Sequence, residues 1–148
     1  MHLNDTDTAQ AAAPALLRWS LGLLMLNSGL SKLGNLGGFV DGYLLPAFAK
    51  TPLPGWMVAG YGYALPPVEA LLGLLLLLGL CRRQALLLNG LMLISLAFGQ
   101  MLLKNHAAVG TIFLYVLTTA LALWMGGADR WSLDALLGAR RRAAADAR

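Results

Sequence analysis

The stretch from 64 to 80, ALPPVEALLGLLLLLGL, decides how this chain is read: two prolines, then Glu69, the only glutamate in the sequence, then an unbroken apolar run. A helix starting at Pro67 would reach only about 20 Å by Leu80, short of the roughly 30 Å of hydrocarbon in a bilayer. Residues 57 to 65 must therefore complete the crossing. Neither proline donates a backbone hydrogen bond, so the carbonyls of Gly62 and Tyr63 are left free, and the span is expected as two pieces joined at Pro66 and Pro67. Glu69 then falls in the first turn of the second piece, where the helix dipole favours a negative charge.

The rest of the chain agrees with a membrane setting. Its 148 residues are 58% hydrophobic and 12% charged, against about 25% charged in a typical soluble domain. Apolar blocks at 15–34, 57–80, 84–103 and 107–126 each have roughly the 20 residues a crossing helix needs. They leave no room for a separate soluble domain. Residues 1–14 are expected as a tail, 15–137 as the membrane domain and 138–148 as a basic tail. The leading MHLNDTDTAQ lacks a basic n-region and SGLSKLG offers no small-x-small cleavage site, so the first block is expected to stay as a helix. Cys81 is the only cysteine, which excludes a disulfide within the chain. The net charge of +4 comes from residues flanking apolar helices, which points to topology and away from nucleic acid.

Four spans put both termini on one side with the CRRQ turn. Arg18, Arg82, Arg83, Arg130, Arg140, Arg141, Arg142 and Arg148 then share that side, and Lys32, Lys50 and Lys104 the other. The positive-inside rule places the arginine side in the cytoplasm. The outer loop 35–56 carries Phe39, Val40, Tyr43, Leu44 and Phe48 at helical spacing, which predicts a short amphipathic segment at the interface, bent near Pro46 and able to cap the bundle. At the other end Ser132 is placed to N-cap a short cytoplasmic helix, with Asp134 near its start and Arg140 to Arg142 at its end.

Polar residues recur in stripes. Arg18, Met25 and Lys32 lie seven apart with Ser28 one turn before Lys32, and Gly22 and Gly29 leave a smooth strip for close helix contact. Asn89, Leu93, Leu96 and Gln100 share a face, as do Thr111, Tyr115, Thr118 and Ala122. Facing inward, these stripes would bring Ser28 and Tyr115 to about the depth of Glu69, with Lys32 and Gln100 above them, in one polar cluster. An ionisable residue within a span costs several kcal/mol unless paired, neutral or hydrated. Glu69 is therefore the expected proton-exchanging residue, with Lys32, Ser28, Gln100 and Tyr115 as ligand-binding neighbours. A structural Glu69–Lys32 pair is the alternative. The single cysteine with His2 and His106 does not make a metal or haem site.

Three segments, RWSLGLLMLNSGLSKL, PPVEALLGLLLLLGLCRR and GADRWSLDALL, together resemble the DoxX/DoxD family of small four-helix membrane proteins. Asp129 departs from it, since that tail motif more often has glycine. Polar positions matching the family are Arg18, Lys32, Glu69, Arg83, Arg130, Ser132 and Asp134, with no catalytic role carried onto any of them. The resemblance implies an all-α four-helix bundle in a bacterial inner membrane and a link to sulfur, thiol or oxidative-stress redox complexes, including a quinone oxidoreductase subunit. The leading expectation is a quinone-interacting subunit of a membrane oxidoreductase that receives electrons from a redox partner protein or directly from a reduced substrate. The alternatives are a non-catalytic anchor or assembly partner of a redox enzyme, and a small transporter acting as a homo-oligomer.

Overall fold

The structure, a computed structural model, describes residues 5–129 and 131–138. The expectations resting on His2, Arg130, Arg140, Arg141, Arg142 and Arg148 lie outside the described residues. Helix α1 spans Asp5–Leu33. A π-helical stretch Gly38–Leu44 leads into the short α2, Leu45–Phe48. Then follow α3, Gly55–Leu78, α4, Arg82–Leu102, and α5, His106–Trp124, which closes in a 3-10 turn over Met125–Ala128. Residues 133–138 form one more short helical stretch. Among the described residues there is no strand.

Three of these helices, Gly55–Leu78, Arg82–Leu102 and His106–Gly127, are long and apolar enough to cross a membrane. Helix α1 is not among them. Its 29 residues cover about 43 Å, but Arg18, Ser20, Asn27, Ser28, Ser31 and Lys32 dilute its apolar content. It also starts at Asp5, ahead of residue 15, because Ala9 and Ala11 to Ala13 are strong helix formers that extend the helix beyond the apolar block, past Pro14.

Contacts between α1 and α3 order the bundle. A side-chain carbon at Gly29 would stand 2.5 Å from the Ala70 nitrogen and 2.7 Å from the Pro66 oxygen. Gly22 meets Leu77 and Gly73, and Gly73 in turn lies against Leu26. The two backbones therefore run antiparallel and nearly touch, as small residues permit. Helices α4 and α5 also pack on each other, and two apolar clusters fill the interior: Leu21, Leu76, Ala85, Leu86 and Ala122 towards one end, and Met25, Leu65, Leu72, Met92 and Leu93 towards the other.

This packing corrects the expectation of a broken span. Helix α3 runs through Pro66 and Pro67 without interruption. Proline holds φ near −65°, already a helical value, so what is lost is two ladder hydrogen bonds and not the helical path. The backbone of α1, pressed against Pro66, Ala70 and Gly73, supports that path. Glu69 thus sits in the helix interior, about 21 Å along from Gly55, and the dipole of a first turn does not account for it.

The loop expected at the interface folds onto the bundle. Val40 is fully buried and Phe48 nearly so, and Gly62 of α3 lies against Val40 and Leu44. The Leu45 amide donates to the Val40 carbonyl, a π-helical bond. At Pro46, which has no amide to donate, the ladder resets to the α-helical α2.

Candidate functional site

Glu69, on the inward face of α3 with Leu65, Leu72 and Leu76, is 1% exposed. Antiparallel packing brings the last turns of α1 across it. The Lys32 ammonium donates to Glu69 Oε1 at 2.8 Å, to Oε2 at 2.6 Å and to Ser28 Oγ at 2.9 Å. Ser28 Oγ donates to Glu69 Oε2 at 3.2 Å. The carboxylate is thereby partnered by two groups one helical turn apart on the same stripe, which compensates its burial. Lys32 also lies 5.4 Å from the centroid of the Phe39 ring in the folded-over loop, within cation–π range.

Lys32 forms part of the wall of a cavity of about 420 Å³. Phe39, Leu65 and Phe98 make much of that wall apolar, and Tyr61, Ser95 and Gln100 add polar groups. Tyr61 Oη and Ser95 Oγ are 2.7 Å apart. Ser95 already donates to the Met92 carbonyl at 2.7 Å, so its single proton is used and Tyr61 is the donor between them. Tyr61 and Ser95 were missed from the sequence, although Tyr61, Leu65 and Glu69 recur every four residues on one face of α3 and the spacing could have shown it.

The expected cluster is only partly assembled. Lys32 and Ser28 reach Glu69. Gln100 stands on the cavity wall with its Oε1 accepting from Asn105 Nδ2 at 2.9 Å, and makes no bond to Glu69. Tyr115 packs against both apolar clusters and is not on the cavity wall. The inward face of α5 also differs from the expected stripe. All three threonines donate to a carbonyl one turn back, and of them Thr119 is buried and also accepts from Asn89 Nδ2 at 3.1 Å. A threonine that finds a carbonyl one turn back can face lipid, so threonine spacing alone does not mark the inner face. Asn89 is fully buried, and its Oδ1 has no partner among the described residues.

A second charged cluster lies around the middle of α1, 14 residues before Lys32. Arg18 is 1% exposed. Its Nε donates to Asp129 Oδ2 at 3.0 Å, Nη1 to the carbonyls of Leu76 and Leu77, and Nη2 to that of Trp131 at 2.9 Å. Asp129 also faces Arg82 at 3.4 Å. Ser132 accepts from the Ala135 amide, as an N-cap does. Asp134 accepts from the amides of Cys81 and Arg82 at 3.1 and 2.8 Å, which ties the chain after α5 to the start of α4. Gly79, at φ +68°, makes the turn under this lock, where a side-chain carbon would meet Ser132. The Cys81 thiol is exposed. Among the described residues no group of His, Cys, Asp and Glu is arranged to hold a metal ion.

The family model of the methylamine utilisation protein MauE matches residues 10–111. That stretch holds Ser28, Lys32, Glu69 and the whole wall of the cavity beside Lys32. The match overturns the resemblance to the DoxX/DoxD family. Leucine- and glycine-rich helices with arginines at their ends are common to membrane bundles, and the GADRWSLDALL motif falls outside the matched residues. No curated protein and no solved structure matches the chain.

Proposed function

This chain belongs to the MauE family, and we propose that it serves methylamine utilisation as a redox-linked membrane component that binds a quinone-type amphiphile in the cavity beside Lys32. The observation that carries this reading is the placement of the Lys32 ammonium on the wall of a largely apolar cavity of about 420 Å³, with Glu69 buried behind it. Cavities of roughly 300–1,000 Å³ with a few polar groups in apolar walls are typical of small-molecule sites. In the proposed topology α1 crosses the bilayer with α3, α4 and α5, its charges taken up inside the bundle, and both termini face the cytoplasm of a bacterial inner membrane.

A quinone bound there would supply two-electron, two-proton redox chemistry, with electrons delivered by a redox partner protein. Two of the three Lys32 donors go to one carboxylate, so one can turn to a ring carbonyl while the other keeps the pair. Glu69 holds the proton-exchange position behind it, Tyr61 turns its hydroxyl proton from Ser95 to the ring and orients it, and Phe39 and Leu65 pack on the apolar part of the ligand.

The test is binding of a short-chain ubiquinone analogue to the full chain in nanodiscs, read by quenching of intrinsic fluorescence. Ser95→Trp, which fills the cavity, should abolish binding, and Lys32→Met should weaken it about tenfold, the value of one charge-assisted hydrogen bond. Undiminished binding in both folded variants would sink the reading. A second reading, a docking partner that holds a redox enzyme at the membrane, draws support from Tyr43 and Trp56, which are 55% and 77% exposed beside the folded-over loop. Capture of a soluble redox protein that survives Lys32→Met but fails when loop 35–56 is replaced would favour it.

A further inference from the structure

Where α4 begins and α5 ends, a second cavity of about 340 Å³ lies between Arg82 and Arg83 on one side and the Gly126–Gly127 turn on the other, with Leu86, Leu87 and Leu123 completing it. Its charge is not balanced from within. Arg82 Nη1 donates to the Asp129 carbonyl at 3.0 Å and faces the Asp129 carboxylate, which Arg18 already holds. The other nearby carboxylate, Asp134, is turned to the backbone amides of Cys81 and Arg82. Arg83 is exposed and has no ion pair among the described residues. Among the described residues three guanidinium groups thus meet two carboxylates, leaving one positive charge over at the cavity.

The glycine turn keeps the guanidinium edge accessible. A side-chain carbon at Gly126 would stand 3.8 Å from Arg82 Nε, and one at Gly127 would meet nothing within 4 Å. Level in the bilayer is marked by Trp124, 82% exposed at the end of α5, as tryptophans are at membrane–water boundaries. Leu87, 47% exposed, continues the cavity onto the apolar surface of α4. An anion with an apolar continuation fits both halves.

We propose that this cavity binds a phosphate group, that of an anionic phospholipid, with Arg83 and the free edge of Arg82 holding its oxygens and the first carbons of the lipid lying on Leu87 and Leu123. Arginine suits this geometry because its planar fork donates to two phosphate oxygens at once.

Native mass spectrometry of the detergent-solubilised full chain tests it, with phosphatidylglycerol and phosphatidylcholine offered in equal amounts, and a thermal-shift titration with inorganic phosphate as the second arm. The wild type should retain phosphatidylglycerol about fivefold over phosphatidylcholine, and Arg83→Gln should bring the two to parity. The melting temperature of lipid-free Arg83→Gln should equal that of the wild type, since Arg83 is exposed and has no ion-pair partner among the described residues. Arg83→Lys should keep part of the preference. Stabilisation of the wild type but not of Arg83→Gln by inorganic phosphate, without lipid selectivity, would support the phosphate site and assign its source to solution. Absence of a response in both arms, or a lipid preference that survives Arg83→Gln, would overturn it.

Discussion

Arg18, midway along α1, and Lys32, in its last turn, each pair with a carboxylate, and the two pairs differ in what surrounds them. Arg18 and Asp129 are each 1% exposed in their side chains, and the guanidinium gives three more bonds to carbonyls of α3 and of the chain after α5. That pair closes a joint between three segments. Lys32 and Glu69 are 23% and 1% exposed, and the more open member looks into a cavity. A cation sealed from solvent among acceptors from separate segments fastens a fold. One that shares two donors with a single carboxylate at a cavity wall can also serve a ligand.

The contrast can be broken by mutation, and the largest effect is expected at the closed end. Arg18→Met leaves Asp129 and two α3 carbonyls buried without their donor, so it should cost about 3–5 kcal/mol, read as a collapse of thermal stability in detergent. Retention of the wild-type melting temperature would mean that Arg82 alone satisfies Asp129. At the open end the cost should depend on which partner is removed. Lys32→Met strands a carboxylate that is 1% exposed, at about 2–3 kcal/mol, whereas Glu69→Gln leaves a lysine that reaches the cavity, at about 1 kcal/mol. Equal losses in the two variants would show that the cavity does not hydrate Lys32.

Asp134→Ala removes the acceptor for the first amides of α4 and should cost about 1 kcal/mol, visible as faster amide exchange at Cys81 and Arg82. The smallest effect concerns α5. Thr119→Val should cost about 1 kcal/mol by leaving the Asn89 amide without a partner, while Thr111→Val should change stability by less than about 0.5 kcal/mol. A reversal of that order would restore the helix face that the threonine spacing suggests.

Much of the bundle is legible in the chain. The blocks that become α3, α4 and α5 stand out by apolarity, and Gly22 and Gly29 foretell the close approach of α1 to α3, because only residues without side chains let two backbones touch. Ser28, Lys32 and Glu69 are legible as partners for a similar reason: a lone carboxylate among leucines needs a donor, and a lysine and serine one turn apart on one stripe supply two. Less was visible where several local solutions compete. Paired prolines fit a break or a continuous helix equally well, and the packing of α1 selected the latter. Thr111, Thr118 and Thr119 all have a helix face to occupy, and only contact with Asn89 singles out Thr119. Family membership followed the same pattern, since short membrane motifs suggested one family and the match across residues 10–111 showed another.

By itself the sequence determined that this is a helical membrane protein with a carboxylate buried in an apolar span, because composition and period depend on transfer free energies that each residue carries wherever it sits. Tertiary structure decided that Lys32 opens onto a cavity while Arg18 is sealed in. Both are single cations on one stripe of one helix. What separates them is the number of acceptors that distant segments bring within reach: three backbone carbonyls and Asp129 around Arg18, against Glu69, Ser28 and an open wall beside Lys32.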